Sequence, residues 1–509
     1  MSIISTNLKI LNCQTFAILQ TVKLSTRNMG ANCQKAFLGN RLAWLIIIAS
    51  TAVFIGYELL GYSHFLWTVL DLGLFNRHLW ALAHFQLSQN PLKGADGLPG
   101  INLLADHAHF ILLALVPFYW LRSSPVILLL VQALALGLSG IPIYLIAKEY
   151  IDSPNIAAAW LVPYFLYFGF WAMLGYPFHE IALAVLILPW ALYFLIQERN
   201  LPLVISLMLL MLVKEDMPLV VIMFGLYLLI IKRSWRLGSF LLVIGTAYFM
   251  FLMNYWFPVM NHGIYPYAQN ALGHGFKDTI IAMVVHPVTF IKALFLPIDK
   301  SKTMILMLLT FGGILPLLGT EFFALVAPLW LDRFLSVQAW RWLPIEHYSA
   351  DQGPILVVAA IIGAHRLSAL LKPKIKPSLA MIGCIVLSTL GAAAAHTKAK
   401  PHYIAHLLRP SFYTFSSSDQ VAQQAINMVP STASVGVQSA FPQLTSRANV
   451  YNLPMDLSIT APRYLLLATP YDRWPFNTQQ DVLDFVNSAE TKYGYRALIS
   501  HDGVYLLKK

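Results

Sequence analysis

Charge is what this chain lacks most. Of its 509 residues only 11% are Asp, Glu, Lys or Arg, against 58% hydrophobic residues and a mean hydropathy of +0.64. Soluble domains carry roughly 25% charged residues, so an ordinary soluble globule is excluded and a polytopic α-helical membrane protein is expected. Acids are scarcer than bases, 23 against 34, for a net charge of +11. The basic residues flank apolar runs, as the positive-inside rule expects, and do not interleave with aromatics as a nucleic-acid surface would. Cysteine is nearly absent: Cys13, Cys33 and Cys384 offer neither a disulfide framework nor a ligand-spaced pair for zinc. Fixed-period repeats and low-complexity tracts are missing too. The first forty residues, with Lys9, Lys23, Arg27 and Lys35, lack the apolar core of a signal peptide. Residues 1–40 read as a disordered cytoplasmic arm, and a true start at Met29 fits as well as Met1.

What is present in abundance is apolar runs of spanning length. A crossing helix needs about 20 residues. Good spans are 42–60, 125–147, 155–175, 180–196, 237–257, 353–371 and 378–396, and shorter ones are 201–213, 217–231, 303–319 and 321–338, eleven in all. The apolar stretch 108–121 is short, and counting it as a crossing would put Lys232, Arg233, Arg236 and Lys372–Lys376 outside. It reads as a re-entrant or surface helix. The run 201–231 reads as a hairpin, because one continuous helix would bury Lys214, Glu215 and Asp216 in hydrocarbon. Asp216 then stands at an N-cap, with Pro218 in the first turn. The N-terminus falls inside and the C-terminus outside. Residues 401–509 change character: Ala433–Val437, Arg463–Leu467 and Ala497–Ser500 read as strands, Gln479–Tyr493 as an amphipathic helix, and Asp502-Gly503 as a hairpin turn. A small extracytoplasmic α/β domain follows a transmembrane domain over 41–400.

Four polar islands punctuate the apolar chain, and this topology puts all four on the outer face. Asp71 precedes an amphipathic helix, Phe75–Phe85, and serves either as its cap or, with its pKa raised beside apolar walls, as a general base. Asp106-His107-Ala108-His109 could supply ligands to a divalent metal, or a cap with interfacial histidines. In Phe178-His179-Glu180 the acid is either a first-turn residue or a catalytic carboxylate. In Lys214-Glu215-Asp216 the lysine could bind phosphate or pair with its neighbours. His347, after Glu346, is a fifth, isolated signal. Carboxylates, imidazoles and an amine gathered from separate segments on one face suit a catalytic cleft better than a pore or a transporter with mid-depth broken helices.

The islands also carry a resemblance. Asp71-Leu72-Gly73-x-Phe75 with Leu79-Trp80, Asp106-His107, Phe178-His179-x-x-Ala182, Lys214-Glu215-Asp216 and His347-Tyr348-Ser349 resemble an uncharacterised family of predicted polytopic membrane proteins of bacteria and archaea, over residues 40–509. That family is similar in turn to the C-type glycosyltransferases, which use a lipid-phosphate sugar donor. The resemblance implies that Asp71 occupies the place of their first-loop acid, 108–121 their partial helix, and Lys214 a basic residue after an outward span. It implies a transferase with Asp71 and Glu180 in catalysis. His107, His179, Lys214, Glu215, Asp216 and His347 would then bind substrate, a polyprenyl-phosphate sugar, in the bacterial plasma membrane. Leu72 follows Asp71 where metal-using members pair two acids, which argues against a divalent cation; Asp106 and His107 are the residues that could serve one. The rival reading is a non-catalytic membrane protein that binds lipid or cell-envelope glycan; a transporter ranks third.

Overall fold

The computed structural model describes residues 40–86, 89–94, 100–261, 267, 269–399 and 403–509. The expected arm over 1–40, with Cys13, Cys33 and Met29, lies outside them except for Asn40. That asparagine opens the first helix: its side chain accepts the Ala43 N–H at 3.0 Å.

Among the described residues, five helical runs are long and apolar enough to cross a membrane. They are Arg41–Ser63, Val126–Tyr150, Trp235–Met260, Ala339–Leu371 and Pro377–Lys398. Two bent pairs would make seven: Pro154–Phe165 with Phe168–Leu174 (51°), and Lys277–Val285 with Pro287–Phe295 (114°). Shorter apolar helices are Phe110–Leu121, Ile181–Ile196, Asn200–Met211 and Met217–Ile230. The expected span 155–175 is therefore broken, and the stretch 258–302, which lies between two of the expected spans, contains a helical pair. The expected spans 303–319 and 321–338 are not continuous either. Ile298–Thr310 ends at Phe311, and Gly312 and Gly313 follow at φ +81° and +66°. That left-handed geometry stops a helix and costs glycine little. Short pieces, Leu315–Leu318, Thr320–Phe323 and Ala327–Leu335, follow. The chain also breaks at Leu212–Asp216, so 201–231 is two helices.

Small residues let these segments approach closely. A Cβ on Gly363 would stand 1.9 Å from the Leu315 carbonyl oxygen, and one on Gly391 would stand 1.8 Å from that of Leu309. Such backbone contact suits association in lipid, where apolar side chains gain nothing by leaving the solvent.

Two short strands, β1 (Gln269–Asn270) and β2 (Gly273–His274), form a hairpin. The tail holds a five-stranded sheet of β3 (Val435–Val437), β4 (Val450–Asn452), β5 (Tyr464–Ala468), β6 (Arg496–His501) and β7 (Val504–Lys508), in the order β4-β3-β5-β7-β6. β3 runs parallel to β4 and β5, whereas β7 is antiparallel to β5 and β6. One sheet face is covered by Gln479–Tyr493, which buries Val482, Val486 and Ala489 against Leu453, Leu465, Leu467 and Leu507. The other face, with Val435, Val437 and Leu466, joins the core of the transmembrane part. Polar contacts fix the junction. The Val69 N–H donates to the Ser439 carbonyl at 2.6 Å, and Asn76 Nδ2 donates to Thr445 Oγ1 at 2.7 Å. His64 Nδ1 lies 3.1 Å from Asp419.

Candidate functional site

Asp71 sits in a wide π-helical turn, Val69–Gly73, immediately before the helix Leu74–Ala83. Such turns recur at functional sites because the extra residue per turn redirects a side chain. The N-cap of that helix is Gly73, and no side chain caps it. Asp71 instead reaches His179, with Oδ1 3.3 Å from Nε2. His179 Nδ1 lies 3.6 Å from Glu180 Oε2, and Glu180 Oε1 lies 3.4 Å from Lys214 Nζ. Four residues from three islands thus form one chain of alternating charge, which compensates the cost of burying each member. The His347 ring stacks on His179 at 3.5 Å between centroids.

The electrostatics follow from this order. Burial disfavours the imidazolium of His179, but the carboxylates of Asp71 and Glu180 outweigh it and raise the group to about 9. Burial likewise works against the Glu180 carboxylate, and Lys214 and His179 hold it well below its usual range. Burial opposes the Lys214 ammonium, and Glu180, Glu215 and Asp216 keep it above its usual range. Asp216 stands at the N-cap of Met217–Ile230 without a capping bond; burial first, and then Asp332, push its carboxyl well above the ordinary value.

A second cluster adjoins the first. His107 Nδ1 lies 2.7 Å from Glu215 Oε1, while Glu215 Oε2 accepts the Ala108 N–H at 3.2 Å. Burial raises the Glu215 carboxyl and His107 and Lys214 lower it more, to about 2. Asp106 pairs with Lys93 and accepts the Tyr267 hydroxyl at 2.7 Å. Asp106 and His107 therefore face different partners, and among the described residues no group of three His, Cys, Asp or Glu is placed to hold a metal.

A cavity of about 360 Å³ joins both clusters. Asp71, His179 and His347 line one part and Lys93, Asp106 and His107 another, with Tyr176, Trp340, Glu346 and Tyr348 completing the wall. Lys214, Glu180, Glu215 and Asp216 stand behind that wall, where Lys214 Nζ also lies 5.8 Å from the Tyr348 ring. Sequence reasoning passed over Glu346, Lys93 and Tyr176. Glu346 follows no apolar pattern, and its segment is held in place by Arg333, which donates to the Tyr348 carbonyl at 2.9 Å and to Ser349 Oγ at 2.7 Å. Only the adjacent His347 signalled it.

Chemically, the arrangement offers a carboxylate beside an imidazolium, a lysine across a small cavity, and aromatic walls. Comparison with known proteins gives a consistent picture. A family model described as predicted membrane protein, DUF2079, matches residues 62–506. No curated protein matches the sequence. The fold is similar to that of ArnT from Cupriavidus metallidurans bound to undecaprenyl phosphate, with a TM-score of 0.50 at 13% identity over 92% of this chain and 98% of that one. The same protein in its apo state gives a TM-score of 0.45 at 13% identity, over 91% and 97%. The similarity to the C-type glycosyltransferases drawn from the islands holds at the level of the fold.

Proposed function

The chain belongs to that family of predicted membrane proteins, and on this premise we propose that it is a C-type glycosyltransferase moving a sugar from a polyprenyl-phosphate donor to an acceptor on the outer face of the membrane. The observation that carries the reading is the Asp71–His179 pair on the wall of the cavity. The undecaprenyl phosphate bound by ArnT, a protein of similar fold, supports the choice of a polyprenyl-phosphate lipid carrier. In this reading the chain crosses the bacterial plasma membrane eleven times, from a cytoplasmic N-terminal arm to an extracytoplasmic tail.

The acceptor hydroxyl approaches Asp71 and gives up its proton to the carboxylate. Its oxygen attacks the anomeric carbon, and the bond from that carbon to the phosphate oxygen breaks, leaving its electron pair on the lipid phosphate. His179, positive beside Asp71, and Lys93 and His107 across the cavity stabilise that charge as it develops. Glu180 keeps His179 charged from behind, Lys214 keeps Glu180 ionised, and Glu215 orients His107. Asp216 and His347 complete the buried surround of the cavity wall.

Replacing Asp71 by Asn tests this directly. Asn preserves size and hydrogen bonding but cannot take a proton, and loss of a general base costs about 10²–10⁴-fold in rate. The expected result is an Asp71→Asn protein that still folds, melting somewhat below the wild type because His179 loses one of its carboxylate partners, and transfers no detectable sugar from a labelled polyprenyl-phosphate donor. An active variant would eliminate Asp71 as the base. A wild type inactive with every donor, but retaining lipid-phosphate binding, would favour a non-catalytic binding role.

A further inference from the structure

Glu58 lies in the helix Arg41–Ser63 and is fully buried. No step above uses it. Ionisable groups inside a membrane span are costly, and by default they mark function. Its Oε1 accepts from Gln132 Nε2 at 2.7 Å. Gln132, equally buried in Val126–Leu138, also donates to the Met173 carbonyl at 3.2 Å. Its own Oε1 accepts the backbone N–H of His179 at 3.0 Å. The amide is thus committed on three sides and fixes the turn that carries His179.

The backbone of the same residue holds the other partner. The Glu58 carbonyl accepts the Trp67 indole N–H at 2.8 Å. That indole occupies the space left by Gly61, where a Cβ would stand 2.1 Å from the ring. Trp67 leads directly into the turn Val69–Gly73 that carries Asp71. One residue of the first span is therefore tied to both ends of the 3.3 Å Asp71–His179 pair, to His179 through its side chain and Gln132, and to Asp71 through its carbonyl and Trp67.

We infer that Glu58 and Gln132 are positioning residues, which set the Asp71–His179 pair from within the transmembrane helices. The effect on rate rests on the transferase reading, but the geometry does not. The part Glu58 needs for this is a hydrogen-bond acceptor, which a glutamine oxygen also supplies; a leucine supplies none.

The full-length protein in nanodiscs allows two readouts. The first is the rate of diethylpyrocarbonate modification of His179, followed by peptide mass spectrometry and normalised to exposed His84. It needs no turnover. Glu58→Leu and Gln132→Leu should raise it several-fold, Glu58→Gln should not, and buried His109 should stay slow in all three. The second readout is sugar transfer. The two leucine variants should lose about 10–100-fold in kcat, the scale of a small misplacement, with the donor KM unchanged. Glu58→Gln should retain most of the rate, and the double leucine variant should be no worse than the poorer single one. Unchanged His179 reactivity in both leucine variants would overturn the inference whether or not transfer is seen. A parallel rise at His109 would also overturn it, since that reports general loosening. A wild type without transfer would count against the transferase reading alone, because the modification rates still decide the positioning role.

Discussion

At the scale of the residue, the site is a set of charges whose protonation states are held by one another. His179 shows this best. Its usual value is 6.5, and in the folded protein Asp71 and Glu180 overcome burial to raise it to about 9. A base whose folded value is raised stabilises the protein most below the unfolded value and loses that contribution as pH rises through the folded one. The melting temperature should therefore be highest below about pH 6.5, fall progressively as pH rises to about 9 and level off there, and a His179→Gln variant should lack that fall. Calorimetry or tryptophan fluorescence across this range checks it; a wild type with no loss of stability through pH 9 would contradict the ion pair. Transfer should decline over the same interval, as Asp71 loses its charged partner. Much of this was legible in the sequence. Asp71, His179 and Lys214 stood out because charge is rare in the chain, and rarity made them visible. Glu58 carried the same signal inside the span 42–60 and was passed over, since one acid does not spoil a hydrophobic average. Gln132 gave no signal, and Glu346 only that of its neighbour His347, because their importance lies in contacts with residues far away in the chain.

At the scale of the element, helices with one clean apolar run were legible and broken ones were not. The runs 42–60, 237–257, 353–371 and 378–396 fall within continuous helical spans. The stretch 303–338 is as hydrophobic, yet the glycine pair at 312–313 breaks it, and hydropathy averages across such a break. The tail helix Gln479–Tyr493 was readable to the residue because its ends are local chemistry. Thr478 and Asp481 form a capping box, and Gly494 closes it at φ +75°. β4, three residues paired in parallel with β3, leaves no comparable trace. The helix Pro377–Lys398 offers a prediction with its own control. A Cβ on Gly391 would meet the Leu309 carbonyl at 1.8 Å, whereas one on Gly383 meets nothing within 4 Å. Gly391→Ala should destabilise by about 1–3 kcal/mol, as overpacking does. Gly383→Ala should be neutral or slightly stabilising, because alanine favours a helix over glycine by up to about 1 kcal/mol. Equal melting temperatures for the two variants would show that the Ile298–Thr310 helix does not pack there.

At the scale of the whole molecule, the tail is joined to the segment that follows the first long helix and not merely tethered. Ser439 and Thr445 contact Val69 and Asn76 on either side of Asp71, and the inner sheet face shares the core beneath. Sequence alternation revealed the strands but could not show this docking, since pairing between residues hundreds of positions apart leaves no local pattern. The contact constrains topology. Whatever side of the membrane holds Asp71 must also hold residues 439–446, and so the C-terminal domain. The basic cluster Lys232, Arg233 and Arg236 stands at the start of the span Trp235–Met260 and is expected inside. Reporter fusions after Lys509 should therefore give an outward signal and those after Arg236 a cytoplasmic one. Cysteines placed at exposed Ser458 in the tail and at exposed Gln86 after the Asp71-bearing helix should be labelled from the same side by an impermeant reagent. Labelling from opposite sides is incompatible with the loop–tail junction and would overturn the fold. If both are labelled only from the cytoplasm, the junction stands but the direction reverses. The proposed site would then face the cytoplasm, and a donor presented on the outer leaflet could not reach it.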